Sequence, residues 1–299
     1  MSSTNGPRRP MEGSTRRIIP SAGAQIKRAF RVCYNLPMAE LESALAAAHA
    51  AGDVLRELWP ATRQVRVKGF RDIVTEADVA AQQAIVSRLR ADFPDYAMLA
   101  EEGGGHDGAG DLCPRWIVDP LDGTTNYTRR LPMWAVAVAL AIGDEVRLGV
   151  VYDPVRDWTF FAERGQGAHL VRADGKPEKM RVSETARLSG AVIGVDWAHD
   201  NDVRQEALQA FSRVALACGS ARALGTAALG IVCVAPGWLD AYYHFALKPW
   251  DVAASSLIVT EAGGCLTTPD GSAWRLGDPR LVVSNSRLHP ELLGVMAGR

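Results

Sequence analysis

The chain has 299 residues, of which 47% are hydrophobic and 22% are charged, and its formal net charge is −1. These proportions are ordinary for a globular protein, and the longest apolar run, residues 133–142, is too short to span a bilayer. Residues 1–37 contain seven Lys or Arg and one acid, so the remaining residues carry a net charge of −7. An acidic body argues against a nucleic-acid partner, and we therefore expect neither a nucleic-acid nor a membrane partner.

Residues 1–37 differ in composition from the rest of the chain. They are rich in Ser, Gly, Pro and Arg, and they lack both a sustained helical period and the apolar core of a secretory signal. We predict a disordered basic N-terminal extension, with a transit-like tail or an upstream start codon before Met38 as alternatives. The five cysteines are scattered, which favours free thiols and a cytoplasmic location.

The remaining residues alternate between helical and extended patterns. In the half spanning 38–185, we predict helices over 38–59 and 75–92 and strands over 96–100, 116–118, 134–142, 146–152 and 158–162. In the half spanning 186–299, we predict strands over 191–195, 238–244 and 281–284 and helices over 202–217, 226–235 and 251–262. This order predicts a layered α/β fold in which an antiparallel α+β half precedes an α/β half that completes the active site.

The most informative segment follows the strand at 116–118. It reads Asp119-Pro-Leu-Asp-Gly-Thr-Thr125, and its Pro and Gly predict a tight turn that directs the Asp119 and Asp122 carboxylates toward one point. Two carboxylates this close repel unless a cation lies between them, and hard oxygen ligands suit Mg²⁺. The alternative is an ordinary surface turn.

Three further acidic positions accompany this segment. Glu101 ends a predicted strand, and Asp251 lies in the first turn of a largely apolar helix. The third is Asp72, just before a helix that Thr75 and Asp78 open as a capping box. The capping box explains Asp78 structurally, which leaves Asp72 as the candidate for a functional role.

Together these segments resemble the inositol monophosphatase family, within the lithium-sensitive, Mg²⁺-dependent sugar-phosphate phosphatases. The resemblance runs from about Met38 to near the C-terminus. It depends on the segments Asp72-Ile-Val-Thr, Ala100-Glu-Glu, Trp116-Ile-Val-Asp-Pro-Leu-Asp-Gly-Thr-Thr-Asn, Gly225-Thr-Ala-Ala, Asp240-Ala-Tyr-Tyr, Trp250-Asp-Val-Ala-Ala and Glu261-Ala-Gly-Gly. It implies stacked layers of helices and sheets with the site between the two halves.

The resemblance also implies a role for each site residue. The metal ligands are Glu101, Asp119 and the Leu121 carbonyl for one Mg²⁺, and Asp119, Asp122 and Asp251 for a second. Asp72 and Thr124 orient and help to deprotonate the attacking water, with Glu101 also in the catalytic set. The backbone N–H groups of Gly123, Thr124 and Thr125 hold the phosphate. The implied reaction is phosphomonoester hydrolysis by metal-activated water.

The substrate is less well defined by the sequence. Asp196 and His244 are the candidate substrate contacts, and His244 stands where many inositol phosphatases have Glu. We expect an inositol or sugar phosphate as substrate and a homodimer as the assembly. The alternatives are a fructose bisphosphatase, a histidinol-phosphate phosphatase, or a catalytically silent regulator that binds phosphate ligands.

Overall fold

The structure is a computed structural model that describes residues 39–60, 64–103 and 113–299. The predicted extension, residues 1–37, lies outside the described residues. The α-helices of the described part are α1 (Ala39–Leu58), α2 (Glu76–Asp92), α3 (Thr124–Thr128), α4 (Asn201–Ala217), α5 (Ala227–Val232), α6 (Pro249–Glu261) and α7 (His289–Met296). Its strands are β1 (Val65–Gly69), β2 (Asp72–Thr75), β3 (Ala97–Ala100), β4 (Pro114–Asp122), β5 (Ala135–Ile142), β6 (Glu145–Asp153), β7 (Trp158–Glu163), β8 (Ala168–Val171), β9 (Pro177–Lys179), β10 (Val192–Val195), β11 (Ser220–Arg222), β12 (Ala241–His244), β13 (Gly264–Thr267) and β14 (Leu281–Asn285).

The first half is built on a seven-stranded sheet in which the strands follow one another in chain order from β3 to β9. β3 and β4 pair in parallel, and the later neighbours are antiparallel. Successive side chains of a strand point to opposite faces of the sheet. In the central strands, the side chains on both faces are apolar. Val136 and Val138 pack with α1 and α2, whereas Ala137 and Ala139 pack with α5 and α6.

The second half is a five-stranded sheet with the order β11-β10-β12-β14-β13. β10 pairs in parallel with β11 and β12, whereas β14 is antiparallel to its neighbours. Tyr242 and Val283 face α5 and α6, and Tyr243 and Val282 face α4 and α7. The chain therefore forms five layers, helix–sheet–helix–sheet–helix, which confirms the predicted layered α/β fold.

One predicted boundary is wrong in a way that shapes the site. The strand predicted over 116–118 runs on as β4 through Asp122, and its pairing with β5 is irregular between Asp119 and Asp122. Pro120 has no N–H to donate to a sheet ladder, so an irregularity is the expected response. The change of direction comes at Gly123, whose φ of 95° lies in the left-handed region and precedes α3.

Candidate active site

Four carboxylates meet between the two sheets. Asp119 and Asp122 lie at the end of β4 and are only 2% and 9% exposed. Glu101 directly follows the parallel neighbour β3, and its N–H donates to the Val118 carbonyl at 3.2 Å. Asp251 lies in the first turn of α6. The fold thus brings together all four predicted acidic metal ligands.

Burial and mutual repulsion make it unfavourable for all four carboxylates to be negatively charged at once. Burial raises the pKa of Asp119 well above its usual range, and repulsion from Glu101, Asp122 and Asp251 adds to this effect. Burial, together with the charges of Asp122 and Glu101, raises the pKa of Asp251 to about 8, although the hydrogen bond from the Lys248 backbone opposes the shift. A bound cation would relieve this repulsion, because buried like charges are stable only when they are compensated.

Asp122 is anchored by a segment from the second half. Its carboxylate accepts hydrogen bonds from the Thr226 hydroxyl and from the backbone N–H groups of Ala227 (3.1 Å) and Ala228 (2.8 Å), at the start of α5. The Gly225-Thr-Ala-Ala segment contributed to the resemblance, but sequence reasoning assigned it no task. In the structure, this segment binds the Asp122 carboxylate, which lies in the other half of the chain.

Lys68 is a site residue that sequence reasoning missed. Its ammonium group lies 3.0 Å from Glu101 and 2.7 Å from Glu102. Burial alone would lower the pKa of Lys68, but the hydrogen bonds and charges of these two glutamates outweigh it and raise the pKa. The alternation of Val and basic residues along β1 was the available signal, since it predicts a strand with one basic face.

The donor set fits a hard divalent cation, because every candidate ligand atom is an oxygen and neither His nor Cys is among them. Within the described ranges, no three acidic, His or Cys side chains already form a metal-binding group. Asp119 accepts from Leu121 N at 3.0 Å and Asp251 from Lys248 N at 2.7 Å, while Glu101 pairs with Lys68. Each carboxylate is thus held by donors of the protein itself.

The side-chain hydrogen-bond partner of Thr124 in the structure is Asp78, whereas the predicted role of Asp72 beside Thr124 at the attacking water stays a prediction. The Thr124 hydroxyl donates to Asp78 Oδ1 at 3.0 Å. The capping box is also present, and it uses Asp78 Oδ2, which accepts from Thr75 N at 2.8 Å. Asp78 uses one carboxylate oxygen for the helix cap and the other for Thr124, so its capping role does not exclude a functional role. Asp72 opens β2, where it pairs with Gly69 across the hairpin.

The predicted phosphate-binding residues begin α3. Gly123 is its N-cap residue, and Thr124 and Thr125 form its first turn. First-turn N–H groups have no acceptor within their own helix, and they point toward an anion at its start. A Cβ at Gly123 would lie 3.2 Å from the Met133 carbonyl and 3.3 Å from the Gly225 carbonyl, so the close approach of these segments requires glycine here.

Asp196 is buried against the same region. It accepts hydrogen bonds from Gly225 N at 2.8 Å and from the Tyr242 hydroxyl at 3.1 Å. Burial raises the pKa of Asp196 to about 7, although these hydrogen bonds oppose the shift. Asp196 therefore positions the Gly225 backbone next to the segment that anchors Asp122.

His244 is buried at the end of β12. Its Nδ1 accepts the Ala246 N–H at 3.0 Å, and the ring also forms a hydrogen bond with the Trp197 backbone. Burial, aided by repulsion from His199, lowers the pKa of His244 to about 4, so the ring is neutral near pH 7. The main chain therefore engages this ring, and the role of His244 as a substrate contact stays a prediction.

Two general features of the described residues complete the description. None of their helices is both long enough and apolar enough to cross a membrane. Cys113, Cys218, Cys233 and Cys265 are free thiols, as expected for these four; Cys33 lies outside the described residues.

Comparison with known proteins identifies the family of this chain. The model of the inositol monophosphatase family matches residues 38–297. Nus factor SuhB of Salmonella typhimurium is 34% identical over 261 residues, which cover 86% of this chain and 95% of the relative. Inositol monophosphatase 1 of Solanum lycopersicum is 36% identical over 250 residues, covering 82% and 90%. A solved IMPase of Thermotoga maritima superposes with a TM-score of 0.78 at 35% identity, covering 87% of this chain and 97% of that one. The chain belongs to the inositol monophosphatase family.

Proposed function

We propose that this protein is a Mg²⁺-dependent phosphomonoesterase that hydrolyses inositol monophosphate or a related sugar phosphate and releases inorganic phosphate. One observation carries the proposal. Four carboxylates, two buried and two half-buried, converge beside the start of α3, whose first-turn N–H groups have no acceptor within the helix. A cation site next to an anion site is the arrangement that metal-assisted phosphoryl transfer requires. Family membership supports the same reaction class.

Two cations would share the carboxylate cluster. Glu101, Asp119 and the Leu121 carbonyl would hold one Mg²⁺, and Asp119, Asp122 and Asp251 would hold the second. When bound, the cations would lower the pKa of the attacking water and neutralise charge on the leaving oxygen. Lys68 supplies a positive charge to Glu101 from the protein itself, so its ion pair would compete with the cation at that carboxylate.

The chain's own groups would bind the phosphate and move the proton. The N–H groups of Gly123, Thr124 and Thr125 would donate to the phosphate oxygens. The Thr124 hydroxyl donates to Asp78 at 3.0 Å, so its lone pairs are directed away from Asp78 and can accept a proton from water. As Thr124 Oγ1 takes that proton, it passes its own to Asp78 Oδ1. Burial raises the pKa of Asp78, which makes it a better proton acceptor.

The test is phosphate release across a panel of inositol, fructose, histidinol and adenosine phosphates, with Mg²⁺ and after chelation. We expect release from an inositol or sugar phosphate that stops on chelation and returns when Mg²⁺ is restored. Asp119→Asn, purified in parallel, provides the inactive control. Turnover that continues unchanged under chelator would contradict the metal-dependent mechanism. The same panel distinguishes a fructose bisphosphatase or a histidinol-phosphate phosphatase from an inositol-type enzyme.

A non-catalytic role is the second candidate, and the name of one relative supports it. Nus factor SuhB is named as a factor and not as an enzyme. A silent regulator of this kind would bind a phosphate ligand at α3 without releasing phosphate from any member of the panel. Calorimetric binding of inositol phosphate in the absence of turnover would favour this role over the phosphatase.

We further propose that the protein acts in the cytoplasm as a homodimer. The four free thiols of the described residues support a reducing compartment. Light scattering coupled to size-exclusion chromatography tests the assembly, and a mass of one chain across the working concentration range would contradict it.

A further inference from the structure

Asn126 is a buried polar residue of α3 that the proposed reaction does not use. Its side chain is 7% exposed. The amide nitrogen donates to the carbonyls of Met133 at 2.8 Å, Leu224 at 2.7 Å and Gly225 at 3.3 Å. A primary amide has two N–H groups, so both find acceptors among these three carbonyls. Asn126 therefore binds the protein's own main chain and ties α3 to a segment about 100 residues away.

Two short segments, 122–126 and 224–228, contact each other at two points. At one point, the Asp122 carboxylate accepts the Thr226 hydroxyl. At the other point, the Asn126 amide donates to the two carbonyls just before Thr226. A single contact would let the second segment pivot about Asp122, whereas two contacts fix the direction from which its donors reach that carboxylate. Asn126 thereby restricts the orientation of Asp122.

The backbone between the two points is held as well. Gly225 has a φ of 72°, and a Cβ there would lie 2.9 Å from the amide nitrogen of Asn126, so this close approach requires glycine. The Gly225 N–H donates to Asp196 at 2.8 Å, and its carbonyl accepts from Asn126. Because the peptide groups on both sides of Gly225 are engaged, a displacement of Asn126 would be transmitted to Thr226, the next residue.

We propose that Asn126 is a positioning residue for the Mg²⁺ site that includes Asp122, and that it acts through residues 224–228. This inference rests on the proposed function, which supplies the cation. Mg²⁺ demands near-ideal octahedral geometry, so a carboxylate that turns out of place binds the ion less tightly. Loss of a group that orients a metal ligand typically costs roughly 10–100-fold in metal affinity. Asn126 acts one step further out, which places its effect at the lower end.

The experiment titrates the full-length protein with Mg²⁺ alone in a calorimeter and compares the wild type with Asn126→Leu. Leu is similar in size and uncharged, so it removes both N–H donors without changing the charge near the cluster. We expect the binding step that includes Asp122 to weaken by about tenfold. The step at Glu101 and the Leu121 carbonyl should stay within about threefold, because Asp122 is not among its proposed ligands.

A double-mutant cycle with Thr226 tests the route of the effect. Thr226→Val removes the hydroxyl that donates to Asp122, so the step that this variant weakens is the one that includes Asp122. If Asn126 acts through the segment of Thr226, the double variant should weaken this step by less than the product of the two single effects. A weakening equal to that product would show that the two residues act independently and would overturn the proposal.

Asn285→Leu is the matched control. Asn285 is also buried, and its amide donates to the Ser183 hydroxyl at 2.7 Å and to the Thr185 carbonyl at 3.0 Å. These partners lie outside both 122–126 and 224–228. The control should therefore lower the melting temperature of the metal-free protein and leave both Mg²⁺ steps unchanged. If it weakens the two steps as much as Asn126→Leu does, the effect is a general loss of stability and the positioning role falls.

Unchanged Mg²⁺ affinity in the Asn126→Leu protein likewise overturns the positioning role, even if the phosphatase is active. If the Asn126→Leu protein melts below the assay temperature, Asn126→Ser replaces it, because the shorter side chain leaves room for water at the three carbonyls. Phosphate release is measured separately. A wild type that binds Mg²⁺ but releases no phosphate refutes the phosphatase proposal, and a weakened step in the variant then still supports the role of Asn126. A wild type that binds no Mg²⁺ overturns both.

Discussion

A substitution at Asp78 is expected to lower turnover far more than it lowers the stability of the fold. Its Oδ1 accepts the Thr124 hydroxyl at 3.0 Å, while its Oδ2 accepts Thr75 N at 2.8 Å and the Thr75 hydroxyl at 2.5 Å. Asp78→Asn preserves the size of the side chain but replaces one accepting oxygen with a donor. The variant therefore loses either the bond to Thr124 or the capping bonds, and in both cases it loses the proton acceptor.

The two losses differ greatly in magnitude. A capping interaction is worth about 1 kcal/mol, which corresponds to a fall in melting temperature of roughly 2–4 °C for a domain of this size. Such a variant stays folded at 25 °C. Removal of a positioned proton acceptor costs roughly 10²–10⁴-fold in rate. We therefore expect a large loss of turnover with a small loss of stability.

The assay measures kcat and the melting temperature of Asp78→Asn beside a matched Asp72→Asn variant. Asp72 carries the same charge, lies six residues earlier and opens β2. We expect Asp72→Asn to keep turnover within a few-fold of the wild type. If Asp72→Asn instead lost more activity than Asp78→Asn, the assignment of the proton acceptor to Asp78 would be refuted, and the pairing predicted from sequence would be restored.

The remaining predictions concern the metal cluster, His244 and the N-terminal segment. Asp119→Asn should reduce kcat by at least about 100-fold, because Asp119 is proposed to contact both cations; full activity would contradict that role. The pKa of His244 falls from 6.5 to about 4 on folding, so the unfolded chain binds the extra proton first. Its stabilising contribution, at most about 3 kcal/mol, is present above pH 6.5 and is lost as the pH falls toward 4. Thermal unfolding of His244→Gln should show a shallower loss over that range than the wild type, and equal slopes would refute the assignment. A chain that begins at Met38 should keep the melting temperature and kcat of the full chain, and a drop in either would show that residues 1–37 pack onto the body.

Short-range sequence signals predicted the large elements of this protein well. The helix predicted over 38–59 is α1 (Ala39–Leu58), and the one predicted over 202–217 is α4 (Asn201–Ala217). Their apolar period and end signals are contained within the helix itself. The unpredicted elements are the strands β1, β2, β8, β9, β11 and β13 and the helices α3 and α7, since segments of three to eight residues carry too few periods to stand out from loops.

The same distinction between local sequence signals and long-range packing applies to the candidate site. The sequence by itself determined which acids are candidates, because Asp119 and Asp122 share one segment and the resemblance extends over the rest of the motifs. Only the tertiary structure decided the partners: Thr226 reaches Asp122 across 104 residues, and Asn126 reaches Leu224 across 98. It also brought Thr124 to Asp78 across 46 residues, a contact that the sequence did not indicate. Local periodicity carries no information about such pairs, because layer packing and loop closure set them, and these depend on the whole chain.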